Sequence, residues 1–265
     1  MSPELRTRII SGIVMTIVAL AALWFGDIPF WLLVALLSVT MMHEWAVMAV
    51  VPKWKWALAV GLALVMQTYS LYFDVSVPVR DAGSLGVEAV MLTGLSAILL
   101  AVITFTARLG WGLLYATLPA LALLFLREQP YGLALALFTM MIVWATDIGA
   151  YFTGRTIGGP KLAPKLSPNK TWAGLIGGMI GAGLVAALIV SLAPLPKMLA
   201  LVAPPLAVVA QMGDLFESWL KRISGVKDSG KILPGHGGVL DRLDGLVPVA
   251  VIMAALVAAG VVHGA

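Results

Sequence analysis

Apolar residues run through this chain in long stretches that short polar turns separate. Nine such stretches can be counted, at 8–25, 28–50, 54–73, 85–107, 111–127, 130–153, 172–193, 198–221 and 243–263. Most are close to the roughly 20 residues that an apolar helix needs to cross a bilayer. Because a backbone in lipid must satisfy its own hydrogen bonds, the stretches predict helices. The pattern therefore predicts an all-α polytopic membrane protein with about nine transmembrane helices, although the short fifth stretch is also compatible with eight.

The composition supports a membrane protein and argues against a soluble one. Hydrophobic residues make up 61% of the chain, charged residues only 11%, and the mean hydropathy is +1.01. A soluble domain carries about 25% charged residues. The absence of cysteine excludes disulfides and thiol chemistry. The net charge of +4 reflects membrane topology, and no nucleic-acid partner is expected.

The distribution of basic residues predicts the orientation. With nine spans and a cytoplasmic N-terminus, 14 of the 17 Lys and Arg residues fall on the cytoplasmic side. Only Arg80, Arg127 and Lys197 fall on the other side. This agrees with the enrichment of Lys and Arg in cytoplasmic loops. The chain is therefore predicted to be a multi-pass protein of the inner (cytoplasmic) membrane, with its N-terminus in the cytoplasm.

Two regions are predicted along the chain. Residues 1–130 form lipid-facing helices that offer dimer contacts. Residues 131–265 form a catalytic membrane region with two polar cytoplasmic loops, 154–171 and 221–244. Both loops are dense in Lys, Gly, Pro and Ser, so the chemistry is expected there.

Five carboxylates lie near the predicted cytoplasmic ends of three spans: Asp147 on the sixth, Asp214 and Glu217 on the eighth, and Asp241 and Asp244 before the ninth. The i, i+3 spacing of the last two pairs puts each pair on one helix face. Carboxylates at membrane depth are costly and rarely face lipid. Clustered at one level they suit Mg²⁺, which prefers oxygen ligands. Ion pairs with nearby basic residues are the structural alternative.

Two further carboxylates, Glu44 and Glu88, lie within or near spans of the first half. A helix-packing or interfacial role is expected for both. His43 and Glu44 match the start of a zinc-protease H-E-x-x-H motif, but Val47 stands where the second histidine would be.

The two polar loops offer groups that bind phosphate. In the second loop Lys221, Arg222 and Lys227 can contact phosphate oxygens, and the Gly235–Gly238 turn can direct backbone N–H groups at an anion. A plain flexible loop is the alternative there. In the first loop, residues 167–171 stand just before a helix, where the positive end of the dipole favours anions. A simple helix cap is the alternative for that segment.

The segment Ser218–Asp244 resembles the signature of phosphatidate cytidylyltransferases. It reads S-x-x-K-R-x₄-K-D-S-G-x₃-P-G-H-G-G-x-x-D-R-x-D, which fixes about 15 residue types over 27 positions. Residues 147–151 and 165–171 also resemble motifs of that family, and the resemblance is strong over 144–246. It implies the reaction of CTP with phosphatidic acid to give CDP-diacylglycerol and pyrophosphate. It also implies Mg²⁺, a second cation such as K⁺, and a homodimer among membrane lipids.

The resemblance and the residue chemistry together assign expected roles. Catalysis is expected of two lysines and three carboxylates: Lys221, Lys227, Asp214, Asp241 and Asp244. Metal binding is expected first of Asp214 and Asp241, then of Asp244 and Asp147. Substrate binding is expected of residues in both loops: Ser167, Asn169, Lys170, Thr171, Arg222, Asp228, Gly235, His236, Gly237, Gly238 and Arg242. For His236, donation to an oxyanion and a hydrogen bond that fixes the turn are both open.

Two other functions fit part of the pattern. A CTP-dependent lipid-alcohol kinase would share the membrane setting and the nucleotide but would release CDP. An ion-coupled transporter would use intramembrane carboxylates, but its sites are expected near the bilayer midplane in two related halves. Here the polar residues gather in one half and at one predicted face, which favours the cytidylyltransferase.

Overall fold

The computed structural model of the protein describes residues 3–76 and 82–261. Its elements are, in chain order, α1 (Pro3–Phe25), α2 (Asp27–Met48), α3 (Lys53–Ser76), α4 (Ala82–Thr104), α5 (Ala107–Glu128), α6 (Gly132–Thr156), β1 (Lys161–Ala163), β2 (Ser167–Thr171), α7 (Trp172–Leu192), α8 (Leu199–Ile223), α9 (Leu240–Leu243) and α10 (Leu246–Ala258).

The predicted all-α polytopic membrane fold is confirmed. Each of the nine apolar stretches falls on a helix, and in the described part of the chain seven helices are long and apolar enough to cross a membrane. Those seven are α1, α2, α4, α5, α6, α7 and α8. The helix α10 is apolar but has only 13 residues, and α3 is not among the seven. Nine crossings therefore stay a prediction, as does the outer position of Arg80, which lies outside the described residues.

The chain divides into two compact units. Unit one comprises Met1–Glu128 and Ser224–Arg242, and unit two comprises Gln129–Ile223 and Leu243–Ala265. The division at 128/129 lies two residues from the predicted region boundary. Most of the second polar loop, however, belongs to the same unit as the first five helices. The site residues are therefore described unit by unit.

In unit one, α2 packs against α1, α3 and α5. Trp45 on α2 donates its indole N–H to the carbonyl of Arg108 at 2.8 Å. Gly112 on α5 makes room for this indole, because a Cβ there would lie 2.7 Å from Trp45 Cγ. A buried polar pair also joins α3 to α2, because Gln67 Nε2 donates to Ser38 Oγ at 3.1 Å. These contacts fix α2 at the centre of the unit.

In unit two, α6 and α7 pack at close range along a row of small residues. A Cβ on Gly178 would lie 3.0 Å from the carbonyl oxygen of Thr146, and one on Gly181 would lie 2.9 Å from that of Ala145. The spacing of glycines in α7 predicts such close helix packing, as in other membrane proteins. The contacts confirm it.

The first polar loop contains a short antiparallel hairpin, β1–β2, in which Lys161 pairs with Thr171 and Ala163 with Ser167. No strand is predicted there from the sequence. The hairpin ends directly at α7, where the Thr171 side chain accepts a hydrogen bond from the N–H of Gly174 at 3.0 Å. This bond satisfies one of the free N–H groups at the helix start. The hairpin therefore delivers residues 167–171 to the N-terminus of α7 in a fixed geometry.

Candidate active site

The part of the second polar loop that belongs to unit one contains tight turns around two glycines. Leu233 N donates to Gly237 O at 3.0 Å, and His236 N donates to Leu233 O at 2.9 Å. Gly235 and Gly237 have φ values of +75° and +82°. Side chains with a Cβ rarely adopt that region, so the turn requires glycine at these two positions.

The buried carboxylate of Glu44 on α2 anchors this loop. Its side chain is only 1% exposed. Oε1 accepts the N–H of Val239 at 2.9 Å, and Oε2 accepts the N–H of Leu240 at 2.9 Å and the hydroxyl of Ser229 at 3.0 Å. Two of these donors are backbone groups at the start of α9, where a negative charge is favourable. Glu44 is thus bound to the signature loop, a role that reasoning from the sequence missed.

Asp241 organises the same loop from the other side. Its Oδ2 accepts the N–H of Ser229 at 2.9 Å, the hydroxyl of Ser229 at 3.0 Å and the N–H of Gly238 at 2.8 Å. This residue is a predicted metal ligand. Its Oδ2 here accepts three donors of the protein itself. The N–H of Gly238, predicted to meet an anion, meets this carboxylate.

Two glycines make room for these carboxylates. A Cβ on Gly238 would lie 2.6 Å from Glu44 Oε2 and would also collide with the hydroxyl of Ser229. A Cβ on Gly230 would lie 2.9 Å from Glu44 Cδ. Since real Cβ contacts are longer than this, no other residue type fits without displacing the carboxylate.

His236 contacts the first helix. Its Nδ1 lies 2.9 Å from Ser11 Oγ, and the same hydroxyl lies 3.0 Å from the carbonyl of Pro234. Arg242 Nε donates to the carbonyl of His236 at 3.0 Å. The side chain is thus placed to hold the turn against α1, and both roles predicted for His236 stay predictions.

A cavity of about 530 Å³ opens between the end of α2 and the start of this loop, within unit one. Its polar lining includes His43, Lys227, Asp228 and Lys231, and the apolar lining includes Val47. Lys227, Asp228 and Lys231 are exposed. A mixed lining of this kind suits a ligand with a charged group and an apolar part.

Unit two holds a second polar cluster, where β2 meets α8. Lys170 forms an ion pair with Asp214 and donates to Gln211 Oε1 at 2.9 Å. Ser218 Oγ lies 3.4 Å from Asp214 Oδ1. The structure thus joins a predicted substrate-binding lysine to a predicted metal ligand. The buried Gln211, 5% exposed, was not predicted from the sequence.

Asp244 lies between α9 and α10, in the same unit. Gly213 on α8 allows its backbone to approach, since a Cβ at 213 would collide with the carbonyl oxygen of Asp244. Burial, together with the negative charges of Asp214 and Asp147, raises the pKa of the Asp244 carboxyl to about 7. The N–H of Gly245, which donates to Asp244 Oδ1 at 2.7 Å, and the charge of Lys170 act in the opposite direction. The charges of Asp147, Asp214 and Asp244 therefore act on one another at this cluster.

This interaction of charges bears on the predicted metal. Within residues 3–76 and 82–261, no group of three or more His, Asp or Glu side chains could hold a metal ion by itself. Mg²⁺ is usually bound through one or two carboxylates together with water and substrate phosphates. Asp214 and Asp244 have the right donor chemistry, and a cation would offset their mutual repulsion. The residues present therefore fit Mg²⁺ as a partner of substrate phosphate.

The remaining predicted site residues are placed as follows. Lys221 forms an ion pair with the buried Glu217 one helical turn earlier, at 2.5 Å. Arg222 and Asn169 are exposed, and Ser167 is half-buried. These side chains lie on or beside the two polar loops, as the sequence predicts.

Comparison with known proteins gives a consistent result over the whole chain. The model of the cytidylyltransferase family matches residues 6–259. A phosphatidate cytidylyltransferase of Brucella suis biovar 1 (strain 1330) is 40% identical, over 94% of this chain and 92% of the relative. One from Bacillus subtilis (strain 168) is 34% identical, over 91% and 93%. One from Pseudomonas aeruginosa is 45% identical over 56% of each chain.

Proposed function

Because this chain belongs to the cytidylyltransferase family, it is a nucleotidyltransferase, and we propose that it transfers the cytidylyl group of CTP to phosphatidic acid, giving CDP-diacylglycerol and pyrophosphate. One observation carries the proposal. The similarity to proteins named phosphatidate cytidylyltransferase extends over more than nine-tenths of the chain, so it includes both polar clusters and the membrane helices. The reaction belongs to phospholipid biosynthesis.

The reaction depends mainly on binding and neutralising the negative charges of its two substrates. The phosphate of phosphatidic acid is ionised near neutral pH and attacks the α-phosphorus of CTP, and pyrophosphate leaves. A strong general base is not required. Bringing two polyanions together and stabilising the leaving pyrophosphate is the harder task, and positioned charges accomplish it.

The cluster in unit two suits the binding of a phosphate oxygen and of Mg²⁺. Lys170 lies at the N-terminus of α7 beside Asp214 and would hold a phosphate oxygen in exchange for part of its ion pair. Asp214 and Asp244 would hold Mg²⁺, with Asp147 as a further ligand or an orienting group. When bound, Mg²⁺ supplies charge neutralisation on the CTP phosphates and on the departing pyrophosphate. Asp241 remains a predicted ligand, and K⁺ a predicted second cation.

The cluster in unit one suits the binding of an anionic group. Lys227 lines the cavity beside α2 and would contact phosphate oxygens, and Asp228, exposed at the same cavity, would orient Lys227. In unit two, Arg222 and Lys221 near the end of α8 would contact phosphate as well. Arginine can bind phosphate bidentately, whereas lysine acts as a point charge.

The membrane setting agrees with these substrates. The apolar helices make the chain a multi-pass membrane protein, so a lipid substrate can reach it without leaving the bilayer. We propose that it lies in the inner (cytoplasmic) membrane as a homodimer, with the two polar loops facing the cytoplasm, where CTP is found. The excess of Lys and Arg in these loops supports that orientation.

Purified protein in detergent, given phosphatidic acid, labelled CTP and Mg²⁺, tests the reaction. CDP-diacylglycerol and pyrophosphate are expected, and EDTA is expected to stop their formation. Release of CDP with a newly phosphorylated lipid alcohol, when one is supplied, would establish the kinase instead. A folded, lipid-supplemented sample that forms neither product would overturn the proposal.

A further inference from the structure

We propose that Glu44, on the second helix, is a positioning residue for the cytidylyl transfer: it fixes the signature loop from Ser229 to Leu240 and, through Ser229, the carboxylate of Asp241. The inference deepens the proposed function and rests on it. It assigns a role in the reaction to a residue far outside the signature.

The contacts of Glu44 show that its side chain holds the loop in place. Its side chain is 1% exposed, and both of its oxygens accept hydrogen bonds of 2.9 to 3.0 Å from the loop. Burying a carboxylate is costly unless hydrogen bonds replace its hydration. All three donors come from the loop between Ser229 and Leu240. Glu44 therefore belongs to this loop rather than to the packing of its own helix against neighbouring helices.

Three consecutive backbone N–H groups link Glu44 to Asp241. The N–H of Gly238 is donated to Asp241, and those of Val239 and Leu240 are donated to Glu44. The hydroxyl of Ser229 lies 3.0 Å from an oxygen of each carboxylate. It carries one proton, so it donates to one carboxylate at a time, and the backbone N–H of Ser229 holds Asp241 meanwhile. Displacing Glu44 therefore changes the surroundings of Asp241.

The anchored loop carries the residues expected to meet substrate. Lys227 and Asp228 immediately precede Ser229 and line the same cavity as Glu44. His236 and Arg242 belong to the same unit. Residues that orient the groups in contact with a reaction centre typically change activity or metal affinity by 10- to 100-fold when replaced. Glu44 is placed to have such an effect.

The variant Glu44→Gln tests this role. It keeps the shape of the side chain but turns one acceptor into an NH₂ donor that faces backbone N–H groups. We expect kcat to fall by roughly 10- to 100-fold, with a smaller change in the KM for CTP. We also expect faster trypsin cleavage after the exposed Lys227 and Lys231, measured in detergent without substrate and referred to cleavage after Lys165 in unit two.

Ser38→Ala is the matched control. Ser38 lies on the same helix, is 1% exposed and accepts a hydrogen bond from Gln67. Its replacement removes a buried hydrogen bond without touching the loop, so kcat and loop cleavage should stay at wild-type values. Equal losses in Ser38→Ala and Glu44→Gln would reduce Glu44 to a general contributor to stability and would overturn the proposal.

Ser229→Ala tests the link to Asp241. It also provides a second test of the proposal if Glu44→Gln fails to fold. It removes only the shared hydroxyl. We expect a smaller fall in kcat than for Glu44→Gln and a double variant that loses less than the product of the two single losses. Fully multiplicative losses, or wild-type kcat and cleavage in both single variants, would contradict the proposal. Loop cleavage does not depend on the reaction, so the anchoring is tested even if the proposed activity fails.

Discussion

The carboxylates of the two units have opposite surroundings. In unit one, Glu44 and Asp241 each accept hydrogen bonds from backbone N–H groups and share the single hydroxyl of Ser229. In unit two, Asp214 lies against a lysine, and Asp244 is influenced by the charges of Asp214 and Asp147. The carboxylates of unit one are therefore surrounded by hydrogen-bond donors, whereas those of unit two are surrounded by other charges. The first pair shapes a loop, and the second group is suited to take up a cation or exchange its lysine for a phosphate.

This contrast predicts two kinds of variant. Changes in unit two should alter the charge available to the reaction while the loop of unit one keeps its conformation. Changes in unit one should alter loop conformation, and activity should follow. Activity and trypsin cleavage after Lys227 and Lys231, measured on the same sample, separate the two.

The largest effect is expected from Asp214→Asn. Asp214 is a proposed Mg²⁺ ligand, and loss of such a ligand charge removes several kcal/mol of charge stabilisation, about a thousandfold in rate. Turnover of labelled CTP should fall to that extent while loop cleavage stays normal. Asp27→Asn, at the first residue of α2, is the control for loss of one negative charge and should retain activity. Wild-type turnover in Asp214→Asn would remove this carboxylate from the proposed metal site.

A smaller effect is expected from Lys170→Met. It removes the partner of Asp214 and Gln211, and hydrogen bonds to charged groups contribute roughly 1.5–3 kcal/mol, or about 10- to 150-fold in kcat/KM. Lys170→Arg keeps the charge and should recover part of the activity. If Lys170→Met instead accelerated cleavage of the loop in unit one while sparing kcat/KM, the division of roles between the units would be wrong.

Gly238→Ala addresses unit one. The added methyl would lie 2.6 Å from Glu44 Oε2, and overpacking of this kind costs about 1–3 kcal/mol. We expect lower activity together with faster loop cleavage. Gly61→Ala on α3 is the control, because a Cβ there meets nothing within 4 Å. Normal cleavage in Gly238→Ala would show that the loop accommodates the methyl without leaving Glu44.

The smallest effect is expected from Ser11→Ala. It removes the hydroxyl beside His236, and a single neutral hydrogen bond contributes about 0.5–1.5 kcal/mol, a two- to tenfold effect. Slightly faster loop cleavage with little change in the KM for CTP would support the turn-fixing role of His236. A large rise in KM with unchanged cleavage would instead indicate that His236 meets the substrate.

The sequence predicts most of the helices because lipid imposes a simple rule on length and polarity. Apolar runs of about 20 residues become helices, and the polar residues between them mark the loops. The cap at Thr171 is also foreseeable, since threonine before an apolar run is a common helix start. These features depend on neighbouring residues only.

Contacts between distant residues are the part that could not be predicted. Glu44 and Ser229 are 185 residues apart, and no periodicity connects them. Gln211 likewise meets Lys170 through tertiary packing alone. A signal for Glu44 did exist, since a carboxylate within an apolar helix requires a partner. Gly230 and Gly238 could have suggested that another group approaches the backbone closely. The sequence does not indicate that this group is the carboxylate of Glu44. The hairpin β1–β2 was missed because its strands are short and lack apolar alternation.

The anchoring of the loop by Glu44 has a consequence for biogenesis. The ribosome adds Glu44 long before it reaches Ser229, 185 residues later. At about 5–20 residues per second, translation of that interval takes roughly 10–40 s. Throughout this time the carboxylate must remain hydrated at the membrane surface or associate with a temporary partner. The nascent chain therefore carries a carboxylate without its final hydrogen-bond donors near the end of its second helix until residues 229–240 emerge and close over it.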